Sequence, residues 1–295
     1  MALAEITPDP LVDYGEVFTR RWVVELILDL VGYTADRDLA AQVVVEPSCG
    51  TGAFLLPIVD RLIESSTLHG HELRSIGDAV RAFDLLDANA EIARKAVARR
   101  LHEAGLSGEE PEEVARSWVT TGDFLLNDHP PGSADYVVGN PPYIRLESVS
   151  RPVMEAYRRV CPTMRGRSDI YVGFIERGLD LLKPKGVLGY ICSDRWMRNQ
   201  YGADLRELIS GAYAVDTVIT MHDVMTPPRS PDGQESHAAE RLPHRPSGPL
   251  GSITGSAVET CGPRVPRSSL PLLPTSKPDS HRWRIGGPVH ESASA

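Results

Sequence analysis

Apolar runs of strand length and apolar positions at helical spacing alternate along most of this chain. From Arg21 to Leu30 the apolar residues Val23, Val24, Ile27 and Leu28 recur with helical period, and Thr19 stands where an N-cap would. Val43, Val44 and Val45, between Gln42 and Glu46, read as a buried strand, and Ala53, Phe54, Leu55 and Leu56 open a helix after a short turn. A second strand is predicted over 79–83, ending at Asp84, and a helix over 88–102 with Ile92, Ala96 and Leu101 facing inward. A polar connection at 105–113 leads to strands at 118–121 and 136–139. A long amphipathic helix is predicted over 168–182, capped by Ser168 and ended by Pro184, Lys185 and Gly186. A strand at 187–192, a loop at 193–196, a helix at 203–210 and a strand at 215–220 complete the pattern. Strand and helix in alternation predict an α/β fold with a parallel, doubly wound sheet.

Composition changes this picture near Thr226. From there to the end roughly four residues in ten are Pro, Gly or Ser, and periodicity stops, which predicts a disordered tail. The chain is therefore expected to divide into a folded part, 1–225, and a tail, 226–295, whose abrupt onset also fits a shifted reading frame. No run is long and apolar enough for a membrane span, and no basic segment precedes an apolar one at the start, so a cytoplasmic protein without a membrane partner is expected. Cys49, Cys161, Cys192 and Cys261 lack metal-ligand or disulfide spacing and read as free thiols, with no metal expected.

The candidate chemistry lies where strands end, the place at which open α/β sheets bind ligands. Glu46, Pro47, Ser48, Cys49, Gly50, Thr51 and Gly52 form a glycine-bearing turn between a strand and a helix, so a ligand could approach the backbone closely. No Lys followed by Ser or Thr comes after it, which disfavours a phosphate-cradling loop. Asp84 ends the next strand where an acid would meet ribose hydroxyls. Asp123 could accept a hydrogen bond from an aminopurine with Phe124 against its ring, although a capping role for Asp123 is nearly as well supported. Asn140, Pro141, Pro142 and Tyr143 follow the fourth strand. The Asn140 side-chain oxygen and the Pro141 carbonyl would be two fixed acceptors for a planar amine, with Tyr143 stacked beside it. Between 145 and 167, six arginines face two glutamates in a protein of net charge −9. Arg145, Arg151, Arg165 and Arg167 are candidates for phosphate contacts.

These residues, in this order, resemble the adenine-N6 DNA methyltransferases of restriction-modification systems. The group in question has its N-terminal cofactor motif ahead of the glycine turn, here Gly15, Glu16, Val17, Phe18 and Thr19. The resemblance covers residues 14 to about 224 and includes the run from Asp169, Ile170 and Tyr171 to Lys183, Pro184, Lys185 and Gly186. It implies a class I, Rossmann-like fold using S-adenosylmethionine and acting on double-stranded DNA by flipping out the target base. Carried over by position, Phe18 and Thr19 would border the cofactor. Glu46, Pro47, Cys49, Gly50 and Gly52 would face its amino-acid part, Asp84 its ribose, and Asp123 with Phe124 its adenine. Asn140 and Pro141, with Pro142 and Tyr143, would hold and stack the target.

Two departures from the family bear on these expectations. Asp84, Leu85, Leu86 and Asp87 stand where the family has an acid, an apolar residue, an acid and a proline, which weakens the ribose contact. The family's seventh strand and recognition domain are expected to be missing, leaving two strand edges unpaired and a truncated enzyme that needs a separate recognition subunit or is inactive. A cognate restriction endonuclease is an expected companion. The competing readings are a methyltransferase acting on a protein glutamine amide, which uses the same tetrapeptide, and a cofactor-binding remnant or half of a split enzyme.

Overall fold

The computed structural model describes residues 19–220 and the backbone of Ile285 and Gly286. Phe18, the rest of 14–18 and the remainder of the tail, Cys261 included, lie outside the described residues. Along the chain come α1 (Arg21–Val31), β1 (Val44–Glu46), α2 (Leu55–His69), β2 (Val80–Asp84), α3 (Asp87–Glu103), α4 (Glu110–Trp118), β3 (Val119–Thr121) and β4 (Ala134–Gly139). They are followed by α5 (Arg151–Val160), α6 (Tyr171–Asp180), β5 (Leu182–Tyr190), α7 (Arg195–Arg198), α8 (Ala203–Ala212), β6 (Ala214–Val215) and β7 (Ile285–Gly286). The strands form one sheet in the order β3-β2-β1-β4-β5-β7-β6. β1 to β5 pair in parallel, and β7 is antiparallel to both β5 and β6.

Both faces of the sheet are covered, which is why its central strands read as unbroken apolar runs. Val44 packs with α1, α2 and α3 on one face, while its neighbour Val45 packs with α5, α6 and α8 on the other. The sheet order reverses between β1 and β4, with β2 on one side and β5 on the other. That crevice at the strand ends is the expected ligand position of a doubly wound sheet. Among the described residues no helix is long and apolar enough to cross a membrane.

The seventh strand was expected to be missing and is present. Ile285 pairs with Leu188 and Val215, and Gly286 with Val187 and Ala214, in the antiparallel slot between β5 and β6. The backbone groups along two facing strand edges need partners, and a two-residue segment meets that need without any apolar alternation to announce it.

Local context shifts other elements. Thr19 does not cap α1; Arg20 holds the N-cap position without a side-chain bond. Ile92 is half exposed, and Ala93 and Val97 face the core in its place. The polar connection at 105–113 contains the start of α4, whose Pro111 and first-turn Glu110, Glu112 and Glu113 are a helix-start signature. α6 starts only at Tyr171, because 168–170 pairs with 144–146: Leu146 N–H donates to Ser168 O at 3.0 Å and Ile170 N–H to Ile144 O at 2.8 Å. Ser168 is thereby buried rather than capping. Pro184, Lys185 and Gly186 lie inside β5, not before it. Leu182 already pairs with Ala134, and the register shifts before Val187 meets Tyr136, with Lys185 at φ +71° in the irregularity. β6 is two residues long, shorter than the predicted 215–220.

Candidate active site

One cavity opens at the strand ends and collects most of the residues singled out from the sequence. Thr19, Glu46, Pro47, Cys49, Gly50 and Asp84 line it, as do Asp123, Phe124, Asn140, Pro141, Pro142 and Tyr143. Gly52 shapes the turn beneath the ligand path. Its φ of +107° and the +52° of Gly50 are backbone conformations that side-chain-bearing residues rarely adopt. Arg145, Arg151, Arg165 and Arg167 are exposed and are not part of the lining. Arg151 pairs with Glu155 at 2.9 Å, Arg165 with Asp204 at 2.6 Å and Arg167 with Glu147 at 2.9 Å. Such exposed pairs exchange readily for other partners.

The strand ends are stitched together by short hydrogen bonds. Asp84, closing β2, accepts from Gly50 N–H at 2.8 Å through Oδ2 and from Leu86 N–H at 2.9 Å through Oδ1. Its carbonyl accepts from Gly122 N–H at 2.8 Å, and Cys49 N–H donates to Phe83 O at 2.8 Å. The Asp84 carboxylate thus props the glycine turn open while still lining the cavity.

Glu46 is the most unusual group in the site. It is 1% exposed at the end of β1, and its Oε2 has no hydrogen-bond partner among the described residues. Burial, with the nearby Asp84 charge, pushes its carboxyl well above the ordinary carboxylate range. Burial likewise raises Asp123, although its bond from Tyr157 opposes this. Among the described residues no Lys, Arg or His lines the cavity. A buried carboxyl with an unmet oxygen, beside two further acids, suits a cationic ligand.

Asn140 follows β4 directly and faces the glycine turn. Its backbone carbonyl accepts from Ser48 Oγ at 3.0 Å, and its Nδ2 donates to Thr19 Oγ1 at 3.1 Å. Tyr143 donates to Ile191 O at 3.3 Å, which fixes its ring in the wall of the cavity. Burial pushes the Tyr143 hydroxyl and the Cys49 thiol upward, so neither is an ionised nucleophile near neutral pH. Cys49, Cys161 and Cys192 are free thiols.

Sequence reasoning missed three parts of this cavity. Asn89 reaches it from α3, Tyr157 from α5 and Phe174 from α6. Phe174 stacks on Phe124 with ring centroids 5.4 Å apart. Ser150 and Pro152 at the start of α5 are a helix-start signal that the chain carries in plain sight.

Comparison with known proteins decides what this cavity belongs to. The chain is 40% identical over 265 residues to the type II methyltransferase M.XhoI of Xanthomonas vasicola, covering 82% of this chain and 48% of that protein. The chain carries a restriction-modification methyltransferase domain. The type II methyltransferase M.PaeR7I of Pseudomonas aeruginosa is 39% identical over 269 residues, covering 88% of this chain and 47% of its own length. The Eco57I restriction-modification methylase family matches residues 81–225. The fold also matches the type ISP restriction-modification enzyme LlaGI, with a TM-score of 0.51, 19% identity and coverage of 68% of this chain and 20% of that one. The chain thus spans about half the length of the type II methyltransferases it resembles.

As a class I methyltransferase domain of this family, the chain takes S-adenosylmethionine as its cofactor. The residues present fit that molecule. Its ammonium and sulfonium charges match a cavity lined by acids, and Glu46 Oε2 is a buried oxygen of that lining without a donor among the described residues. Membership of a restriction-modification methyltransferase family does not favour the protein-glutamine reading.

Proposed function

We propose that this domain transfers a methyl group from S-adenosylmethionine to N6 of an adenine flipped out of double-stranded DNA. The observation that carries the reading is the setting of Asn140, clamped between Ser48 and Thr19 at the edge of the acidic cavity. Donation from Nδ2 to Thr19 turns the amide so that Oδ1 lies on its opposite side. Together with the Pro141 carbonyl, Oδ1 would receive both hydrogens of an exocyclic amine, and Tyr143 would carry the ring. Held so, the amine directs its lone pair away from its acceptors.

The cofactor, when bound, supplies an electrophilic methyl group on a positively charged sulfur. Glu46 would pair with its ammonium, the turn at Gly50 and Gly52 would let it approach β1, and Asp84 would hold that turn in shape. Asp123 and Phe124 would take the adenine end. The amine held by Asn140 and Pro141 would take up that methyl group, leaving the sulfur its bonding electron pair, and would then give a proton to water. Positioning of two reactants supplies most of such catalysis. Flipping the base costs a few kcal/mol, to be repaid by the pocket and by phosphate contacts. Arg145, Arg151, Arg165 and Arg167 are the cations proposed for those contacts.

The test is transfer of labelled methyl from S-adenosylmethionine to duplex DNA, with digestion to nucleosides to identify the product. N6-methyladenine that disappears in Asn140→Ala, while cofactor binding survives, is the expected result. Label on cytosine or on protein would refute the proposal. Cofactor binding with turnover only after adding a recognition subunit would mark half of a split enzyme; binding without turnover under any condition would mark a remnant.

A further inference from the structure

Asp123 and Tyr157 meet across the cavity wall in a contact that the proposed reaction does not use. Tyr157 lies on α5, is 5% exposed and donates its hydroxyl to Asp123 Oδ2 at 2.6 Å. The other carboxylate oxygen, Oδ1, accepts from Leu125 N–H at 2.9 Å. Both residues line the cavity. The carboxylate is therefore pinned at both ends, one end by its own turn and the other by a helix 34 residues further along the chain.

We infer that Tyr157 is a positioning residue for the cofactor's adenine: it holds the Asp123 carboxylate in the orientation that receives the exocyclic amine, and so lets the site distinguish adenine from a base bearing oxygen at that place. This rests on the cofactor assignment of Asp123 made above. Each carboxylate oxygen has two acceptor positions, so Asp123 can keep both present bonds and still accept the amine. An exocyclic carbonyl oxygen in place of the amine would face the carboxylate lone pairs with no hydrogen to donate at that position, which is a costly mismatch in a buried site. Without the Tyr157 hydroxyl the carboxylate loses a charge-assisted bond and can rotate about its side chain.

The same contact has a consequence in pH. Burial raises Asp123, and the bonds from Tyr157 and from the backbone of Leu125 and Leu126 oppose that rise. Cys161, just beyond α5, is a titratable neighbour of Asp123, and its thiol is pushed up to about 12, hence neutral over the working range. Glu46 and Asp84 share the cavity. Removal of the Tyr157 hydroxyl lets Asp123 rise further, so it protonates at higher pH and stops accepting the amine.

The test measures binding of S-adenosylhomocysteine and of its deaminated analogue S-inosylhomocysteine to the full chain, as a function of pH. In Tyr157→Phe, which keeps the buried ring, adenosyl binding should weaken by about 10-fold or more. Inosyl binding should change much less, and the acid limb of adenosyl binding should move to higher pH. Asp123→Asn should show the same loss of preference, and Tyr157→Phe added to Asp123→Asn should cost little more, the non-additivity of two residues acting through one contact. Equal loss for both ligands, additive losses, or an unmoved acid limb would overturn the inference and leave Tyr157 a packing residue. Failure of the unaltered chain to bind either ligand would overturn the cofactor reading itself, and the inference with it.

Discussion

Thr19 Oγ1 accepts a hydrogen bond from Asn140 Nδ2 at 3.1 Å, across 121 residues of chain. A residue placed by sequence pattern at a helix start thus serves as the stop against which the proposed catalytic amide is set. Thr19→Val keeps the shape and removes the acceptor. Methyl transfer is expected to fall by about 10-fold, the cost of one hydrogen bond of ordinary strength. Thr19→Ser should restore most of it. Single-turnover rates with cofactor saturating would show whether the loss lies in the transfer step.

A Glu46 that pairs with the cofactor's ammonium would tie binding to a proton. Its carboxyl is raised above the ordinary range by burial and by Asp84. Between the ordinary and the raised value the folded protein keeps this proton and the unfolded chain does not, so stability falls as pH rises through that window. An ammonium ligand favours the ionised form, so affinity should rise over the same window, with proton release on binding. Calorimetry in two buffers of different ionisation heat measures that release. Glu46→Gln should abolish it, weaken binding and raise the melting temperature of the ligand-free protein above the window, because it removes a buried charge.

Gly52 carries a conformational demand on which the turn depends. At φ +107° an added side chain is strained wherever it points, and the new Cβ would stand 3.4 Å from Leu56 Cγ. Gly52→Ala is expected to destabilise the protein by about 1–3 kcal/mol. Cofactor affinity should fall as well, since the turn that admits the ligand would relax. Thermal unfolding and a cofactor titration of the same preparation check both effects.

Asp84 braces that turn from the next strand through Gly50 N–H and Leu86 N–H. Asp84→Ala leaves both donors without this acceptor, and a loss of roughly 2–4 kcal/mol is expected from two buried bonds. Asp84→Asn retains one acceptor oxygen and should lose about half as much. A chemical-denaturation series on the three proteins tests the ordering.

The four exposed arginines predict a salt signature. If Arg145, Arg151, Arg165 and Arg167 contact phosphates, each replacement by Ala should weaken binding to all duplexes alike. It should also reduce the slope of log affinity against log salt by about one. Fluorescence anisotropy on two unrelated duplexes over a salt series measures both. An unchanged slope would assign these side chains to the exposed ion pairs with Glu155, Asp204 and Glu147 instead.

The order of strands and helices, the parallel sheet and the turns that carry chemistry were legible in the chain because each is written in local terms. Val43, Val44 and Val45 say buried strand whatever surrounds them, and glycines after a strand say tight turn. Asn140, Pro141, Pro142 and Tyr143 carry their geometry in their own backbones. A single chain therefore determines that these turns exist, and a doubly wound sheet places them at one edge.

Partners distant in sequence were decided only by the folded molecule. No local rule relates Thr19 to Asn140 or Tyr157 to Asp123, since each contact exists only when the sheet brings its strand ends side by side. The two-residue strand at Ile285 and Gly286 is the extreme case: its backbone pairs with the open edges of β5 and β6. Glu46 shows the same division. Its identity could be read from the chain, but its raised affinity for a proton comes from the sheet, helix and turn that exclude water around it. Periodicity and turn chemistry act over a few residues, whereas burial and hydrogen-bond partnership depend on what the completed fold places within a few ångströms.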